Sequence, residues 1–569
     1  MLFIFSRLSP ILIPSTRYNY SEGMNDMIIN HNLTALSALN VSRATDNMLQ
    51  KSIQPLASGL RINSAADDAS GIAISEKMRS QTAGCSMAVR NVQDGVSLLQ
   101  TAEGALGDSN SILQRMRDLS VQSANDTLTS RDRLHIDEEV QALKGKLDMV
   151  STSTQFNTKK LLDGTSGIMW SSSDADLTAR IKGGASILGR TEGNFRLEIR
   201  ADPGKAQVQR SNIFDLGSLS RIDDADTGDF RVFAENLNTL RDMRGFYTSE
   251  DTFVVNEPQS LTVIQGNGKT AGITIYGNDT LYDVADKINS AVSDSLGQAA
   301  YVDDAGKFGT VSDITAVSQD NGDSYSLKAS LVIRSAVPGK GGEIFLAGSD
   351  EMISALGMNT VQESTESTYS VSVYDAVTGE NLAENVKITG NVMHGIIGES
   401  IDIEFDPMAA TSVNWDGESY TLTGTDAYNA MMTMKNSGII FQVGTNQAET
   451  FGVQFGDVSS DALGVSGVNV MTRELASRSI SIIDRAIEDV VKQRTQISAY
   501  ADSLEHTAAN LAQSGGNLAQ SASRITDADE AKSTLRFIEF QILSKGQDMI
   551  LAVANQQPEA VYSLLGNDK

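Results

Sequence analysis

The sequence predicts an α+β protein: long N- and C-terminal helices paired into a coiled-coil rod, with a β-rich central insertion of two domains. Three observations carry this. First, the residues from about 33 to 162 and from about 475 to 565 are rich in Ala, Leu, Ser and Gln, whereas the stretch between is rich in Gly, Asp, Thr and Val. Second, Ile483, Ile487, Val490, Arg494, Ile497, Ala501, Leu504, Ala508, Leu511, Gly515, Leu518, Ala522 and Ile525 follow 4,3 spacings without a slip. A sustained 3.5-residue repeat keeps one narrow seam facing a partner helix. Third, short alternating runs bounded by turn residues recur through the middle. At roughly 150 residues per domain, a chain of 569 residues has room for about four.

Taken in order, residues 1–26 contain an apolar run, Leu2 to Ile13, interrupted by Arg7 and Pro10. It falls short of the roughly 20 residues a membrane span needs and lacks the basic start of a secretory signal. We read 1–26 as a disordered extension or an artefact of start-codon choice, with Met24 or Met27 as the true beginning. Residues 27–70 form an outermost helix with the stripe Leu49, Ile53, Leu56 and Leu60, which Pro55 should kink or break. Residues 71–165 supply rod helices: Val92, Val96, Leu99, Ala102, Leu106, Leu113 and Met116 share one face. Ile136, Val140, Leu143, Leu147 and Val150 step 4,3 on the next helix.

A first central domain is predicted over 166–360 and a second over 361–464, with a break near 355–368. Alternating runs at 195–199, 369–373 and 451–455 read as strands. The tripeptides at 266–268 and 320–322 read as turns, and Thr280 to Val292 as a helix burying Leu281, Val284, Ala285 and Ile288. The seam helix occupies 465–525, and at about 1.5 Å per residue the repeat would run roughly 63 Å. Residues 526–569 form the other outermost helix, with Leu535, Ile538, Ile542, Met549 and Val553 as its stripe, interrupted at Gly546. Both ends are expected to be poorly ordered in a monomer and to gain order by assembling with copies of the chain.

Charge and composition exclude several functions. Lys+Arg 45 against Asp+Glu 72 leaves −27, which repels phosphate backbones and anionic lipid, so neither nucleic acid nor membrane is expected as a partner. Cys85 is the one cysteine, so no internal disulfide and no thiolate cluster can form. His31, His135, His394 and His506 form no H-E-x-x-H pair and read as surface residues. Gly268-Lys269-Thr270 echoes the end of a phosphate-binding loop, but position 263 is valine where glycine would be required, so a hairpin tip is the reading. Asp223, Asp224, Asp226 and Asp229 crowd near Gly228, one place out of step with an EF-hand loop, and read as a solvated turn. No catalytic constellation, metal site or cofactor is expected.

The terminal motifs are more specific. The run Leu56-Ala-Ser-Gly-Leu-Arg-Ile-Asn-Ser-Ala-Ala-Asp-Asp-Ala-Ser-Gly-Ile-Ala-Ile-Ser75, the runs Asn91 to Leu106 and Leu113 to Asn125, and Thr154-Gln-Phe-Asn157 closely resemble bacterial flagellin. At the other end, Leu504-Glu-His-Thr507, Ser523 to Asp529, Gln541-Ile-Leu543 and Ala554-Asn-Gln-Gln-Pro558 resemble the same family, and Leu261 to Val292 looks like a motif that some flagellins carry. The resemblance implies an extracellular structural subunit of the flagellar filament, exported through the flagellar type III apparatus and self-assembling with copies of itself. It further implies an export chaperone at the C-terminal end, and filament cap and hook-junction proteins as partners. The Toll-like receptor for flagellin would grip the helix bearing Arg115 and Leu119, with Glu139 on the next helix, the arginine standing beside an exposed leucine. A hook–filament junction protein and an adhesin displayed through the central domains are the alternatives. The departures from the family pattern are the 26-residue extension, Pro55, Cys85 and the tail Gly566-Asn-Asp-Lys569.

Overall fold

A computed structural model of the chain describes residues 32–174, 177–181, 192–223, 230–234, 238–302, 307–314, 324–395, 401–417 and 419–565. The N-terminal extension, the turn at 320–322, Asp224, Asp226, Asp229 and the tail after Leu565 lie outside the described residues. The chain divides into two compact units, residues 1–84 with 513–569, and residues 85–512.

In the first unit, helix α1 (Leu33–Ser58) starts at Asn32, whose side chain accepts from the Ala35 N–H. Pro55 does not break it, contrary to expectation. The ring removes one donor only a turn before the end, and the helix stops instead at Gly59, in the left-handed region at φ 71° with its N–H on the Pro55 carbonyl. The first turns of helix α2 (Ala69–Ser123) and the end of a helix that begins in the other unit complete this unit together with a last helix, Glu530–Leu565. That last helix runs through Gly546, where an added Cβ would meet nothing.

The second unit has three layers of construction. At its base, α2 continues to Ser123 and is followed by helix α3 (Ser130–Ser153), opened by a capping box between Thr129 and Asp132. A five-stranded antiparallel sheet comes next, in the order Asn381–Thr389, Thr368–Asp375, Gly193–Asp202, Tyr428–Asn436, Ile168–Ser172. Its inner face buries Phe195, Leu197, Ile199, Val371, Val373, Ala430 and Met432 against Met393, Ile401 and Ile403 of a three-stranded sheet. The expected division into 166–360 and 361–464 therefore fails as a sequential split. Gly193–Asp202 pairs with Thr368–Asp375 on one side and with Tyr428–Asn436 on the other. Alternation along a strand tells which face is buried but not which distant strand lies alongside.

Residues 206–362 form an insertion within that sheet domain, joined by a neck in which the Thr365 N–H donates to the Lys205 carbonyl at 3.0 Å. Gly204 permits the crossing, because a Cβ there would sit 1.9 Å from the Thr365 carbonyl oxygen. The insertion packs Ser324–Pro338 on Ala206–Asp223 and, separately, a hairpin of Gln259–Gln265 with Thr270–Ile275. The Gly268-Lys269-Thr270 run is the tip of this hairpin. Helix α4 (Leu281–Ser290), capped by Thr280 and Asp283, buries Leu281, Val284, Ala285 and Ile288 against both, as expected. Helix α5 (Asp350–Leu356) adds Met352 and Leu356 to the same core. The chain then returns through helix α6 (Arg473–Thr526), which starts later than the expected 465, and ends in helix α7, the Glu530–Leu565 helix.

Candidate functional site

In the second unit the seam has a partner. Ile483, Val490, Ile497 and Leu504 of α6 are buried against Val92, Leu99, Leu106, Leu113 and Met116 of α2, with Val96, Ile487 and Leu511 half-buried at the margin. The helices run antiparallel, since Arg117 pairs with Asp484 at 2.5 Å and Glu103 with Arg494 at 3.4 Å. Arg494, the charged residue in the apolar repeat, thus leans out to the flank and finds a carboxylate there. Leu518 and Ile525, in the first unit, are half-buried.

Heptad reasoning missed the polar face of α3. Asp137 accepts from the Val470 N–H at 2.9 Å, Lys144 donates to the Ser466 and Val468 carbonyls at 2.8 and 2.7 Å, and Asp148 accepts from the Ser460 N–H at 2.7 Å. These positions lie 7 and 4 residues apart, on one helical face. They bind a return segment built of turns, whose Val465, Val468 and Val470 complete the core. Burial pushes the Asp137 carboxyl up, against the Val470 N–H, and pushes the Lys144 ammonium down, against Asp137 and Asp148. Asp457, beside Ser151, is likewise raised by burial. A signal existed in the sequence: Asp137 and Lys144 sit beside the apolar 4,3 positions, where a solvated helix face would not begin.

In the first unit the Leu56–Ser75 motif forms a locked corner. Arg61 donates through its guanidinium to the Ile525 carbonyl and through its N–H to the Thr526 carbonyl at 2.6 Å, satisfying carbonyls at the end of α6. Asp67 accepts from the Asn63 and Ser64 N–H groups, and Asp68 from the Gly71 N–H at 2.8 Å. Those backbone donors hold both carboxyls below the usual range. A Cβ at Gly71 would press on both neighbours, lying 2.4 Å from Asp68 Oδ2 and 2.8 Å from Ile62 Cδ1, so those side chains would have to shift.

The outer stripes lie mostly on the exposed side of the terminal helix pair. α1 and α7 pack antiparallel, with Asn32 donating to the Ala554 carbonyl at 2.8 Å and Ser544 to Asp46 at 3.2 Å, and they bury Ser42, Thr45 and Ala554. Leu49 and Leu60 are half-buried, but Ile53, Leu56, Leu535, Ile538, Ile542, Met549 and Val553 are exposed, Met549 at 71%. Small and hydroxyl side chains let the two backbones approach, so the large apolar side chains are left on the outside. α1 and α7 are both helical over their described residues.

Arg115 and Glu139 pair across the two helices, with Nε and Nη2 both donating to Oε1 at 2.9 and 2.8 Å and both side chains about half exposed. Leu119 does not join them. It shares a face with Leu113 and Met116 and is only 2% exposed, so the expected exposed leucine is a core residue. Cys85 is buried, and His135, His394 and His506 are exposed. Among the described residues no three His, Cys, Asp or Glu side chains could hold a metal ion, and no helix is long and apolar enough to cross a membrane.

Residues 29–167 match the family described as the bacterial flagellin N-terminal helical region, and residues 480–565 match the bacterial flagellin C-terminal helical region. The chain is 30% identical over 533 residues to a flagellin of Clostridium tyrobutyricum, covering 94% of this chain and 100% of that one. It is 28% identical over 556 residues to the B-type flagellin of Pseudomonas aeruginosa, covering 95% and 99%. A flagellin of Halalkalibacterium halodurans is 54% identical over 139 residues, 24% of this chain and 51% of that one. The locked corner, the α2–α6 seam and the paired terminal helices all fall largely within the matched terminal regions, and with similarity running over nearly the whole length, this chain belongs to the bacterial flagellin family.

Proposed function

We propose that the protein is the structural subunit of a flagellar filament, and that it works by assembly rather than catalysis. The observation that supports this best is the apolar surface left open on α7. Leu535, Ile542, Met549 and Val553 are 59–71% exposed along one helix, although its partner within the chain is already in place. Apolar side chains repeated along an exposed helix are a surface for association, and copies of the same chain in a helical array would cover them. The subunit is exported through the flagellar type III apparatus to the cell exterior. A chaperone covers the C-terminal helix before export, and cap and hook-junction proteins meet the subunit during and before growth of the tube. Recognition by the Toll-like receptor for flagellin centres on Arg115 and Glu139, the exposed pair, with Leu119 supporting the helix from inside.

Seeding the purified protein with filament fragments and following growth by electron microscopy tests the proposal. Elongation of the seeds supports it. A protein that stays monomeric, or that binds only to the ends of hook fragments, refutes it in favour of a junction role.

A further inference from the structure

Within the second unit, the tip of the inserted hairpin touches the return segment backbone to backbone. A Cβ on Gly268 would lie 2.3 Å from the Gly467 carbonyl oxygen, and one on Gly467 would lie 2.4 Å from the Asn267 carbonyl oxygen. Glycine on both sides is what allows this approach. The same stretch of the return segment is gripped by α3, because Lys144 donates to the carbonyls on either side of Gly467, those of Ser466 and Val468. Residues 466–468 therefore receive both a side chain of α3 and the tip of the hairpin.

The tip has a second seat, on the loop around residue 340. The Gly266 N–H donates to the Glu343 carbonyl at 2.7 Å, and a Cβ on Gly266 would lie 1.8 Å from the Lys340 carbonyl oxygen. That loop is tied to the start of α6. Arg478 pairs with the buried Glu343 carboxylate, donates to the Lys340 carbonyl at 3.4 Å, and stands over the Phe345 ring at 5.2 Å. Both backbones that receive the tip are thus anchored on rod helices, one on α3 and the other on α6. Val465, Val468 and Val470 of the return segment belong to the rod core, so a displacement at the tip reaches that core through a few residues.

We propose that the inserted hairpin is a latch that couples the insertion to the rod: seated, its tip holds the return segment on α3, and lifted, it releases that segment. Coupling of this kind is reciprocal, so loosening either side must loosen the other. Hydrogen exchange of the full-length protein, read by mass spectrometry, tests both directions, since it reports local opening segment by segment. Gly467→Ala places a methyl where the tip sits, and Gly467 does not have a positive φ, so the alanine is opposed by the tip and not by its own backbone. Exchange over residues 460–470 is expected to quicken about tenfold, the equivalent of about 1.4 kcal/mol, with α4 unchanged. Lys144→Met acts from the other side. It removes the donor to Ser466 and Val468 and is expected to quicken exchange at the tip by a similar factor, where the Gln265 and Gly268 N–H groups are bonded within the turn. The second variant carries the test if Gly467→Ala does not give the parent circular dichroism spectrum. A folded Gly467→Ala protein with parental exchange over 460–470, acceleration spread equally to α4, or a Lys144→Met protein whose tip exchanges as in the parent would each overturn the proposal.

Discussion

Leu504 offers a close test of the α2–α6 seam, because the structure names what it touches. The residue is fully buried, and a Cβ added at Gly95 of α2 would lie 3.2 Å from Leu504 Cδ1 and 3.3 Å from the Phe441 ring. Leu504→Ala removes three buried carbons and leaves a cavity that two long helices cannot collapse, a loss of about 3 kcal/mol, or roughly a hundredfold in the folding equilibrium. Gly95→Ala alone has two opposed effects. Alanine improves the helix interior by about 1 kcal/mol, but the new methyl presses Leu504 and Phe441 at once, costing about 2 kcal/mol. In the Leu504→Ala background one of those contacts is gone and about half of the cost goes with it, so Gly95→Ala should then be close to neutral. The predicted coupling is about 1 kcal/mol, within the range for residues in direct contact. Urea denaturation of the four proteins, followed by far-ultraviolet circular dichroism, measures it. Strictly additive effects, or a Leu504→Ala loss below about 1 kcal/mol, would show that the two helices do not meet at this level.

Three further outcomes are expected. Deleting residues 526–569 removes α7 and its exposed stripe, so the truncated protein should keep its β spectrum yet fail to elongate seeds; filaments of normal length would contradict the assembly surface. Asp457 has its carboxyl raised by burial, so its ionisation opposes folding: the stability tied to its neutral form is complete below about pH 4 and lost as pH rises through the raised value. Asp457→Asn should therefore melt higher than the parent at pH 7, with the difference closing as the pH falls toward 4, and a difference that grows on acidification would refute the sign. Arg115→Ala should lower activation of receptor-bearing cells by monomer about tenfold, corresponding to about 1.4 kcal/mol, whereas an unchanged response would remove Arg115 from the contact.

Much of the helical architecture is legible in the residues. The α4 face was readable because Leu281, Val284, Ala285 and Ile288 repeat within three turns and Thr280 and Asp283 mark the start, all of it local chemistry. The 4,3 repeat of α6 likewise required a partner, and Val92, Leu99 and Leu106 supplied it. The candidate assembly site was only half legible. Periodicity found the stripe Leu535, Ile538, Ile542, Met549 and Val553, but not that Ser42, Thr45 and Ala554 would take the contact within the chain and leave the stripe outside. Leu119 shows the same limit, since an i,i+4 relation to Arg115 does not say on which side of the leucine the core lies.

Local chemistry along the chain thus sets which segments are helices and which faces of them are apolar, and motifs at both ends mark the family. Those features arise from 3.6-residue geometry, caps and glycines, and they act over a few turns. Only the tertiary structure decided that Gly193–Asp202 lies between Thr368–Asp375 and Tyr428–Asn436, that the insertion hangs from a neck at Gly204, and that Lys144 binds the return segment. These pairings join residues more than 150 positions apart, where any alternating strand could satisfy the same local pattern. The choice among them is made by the packing of the whole core.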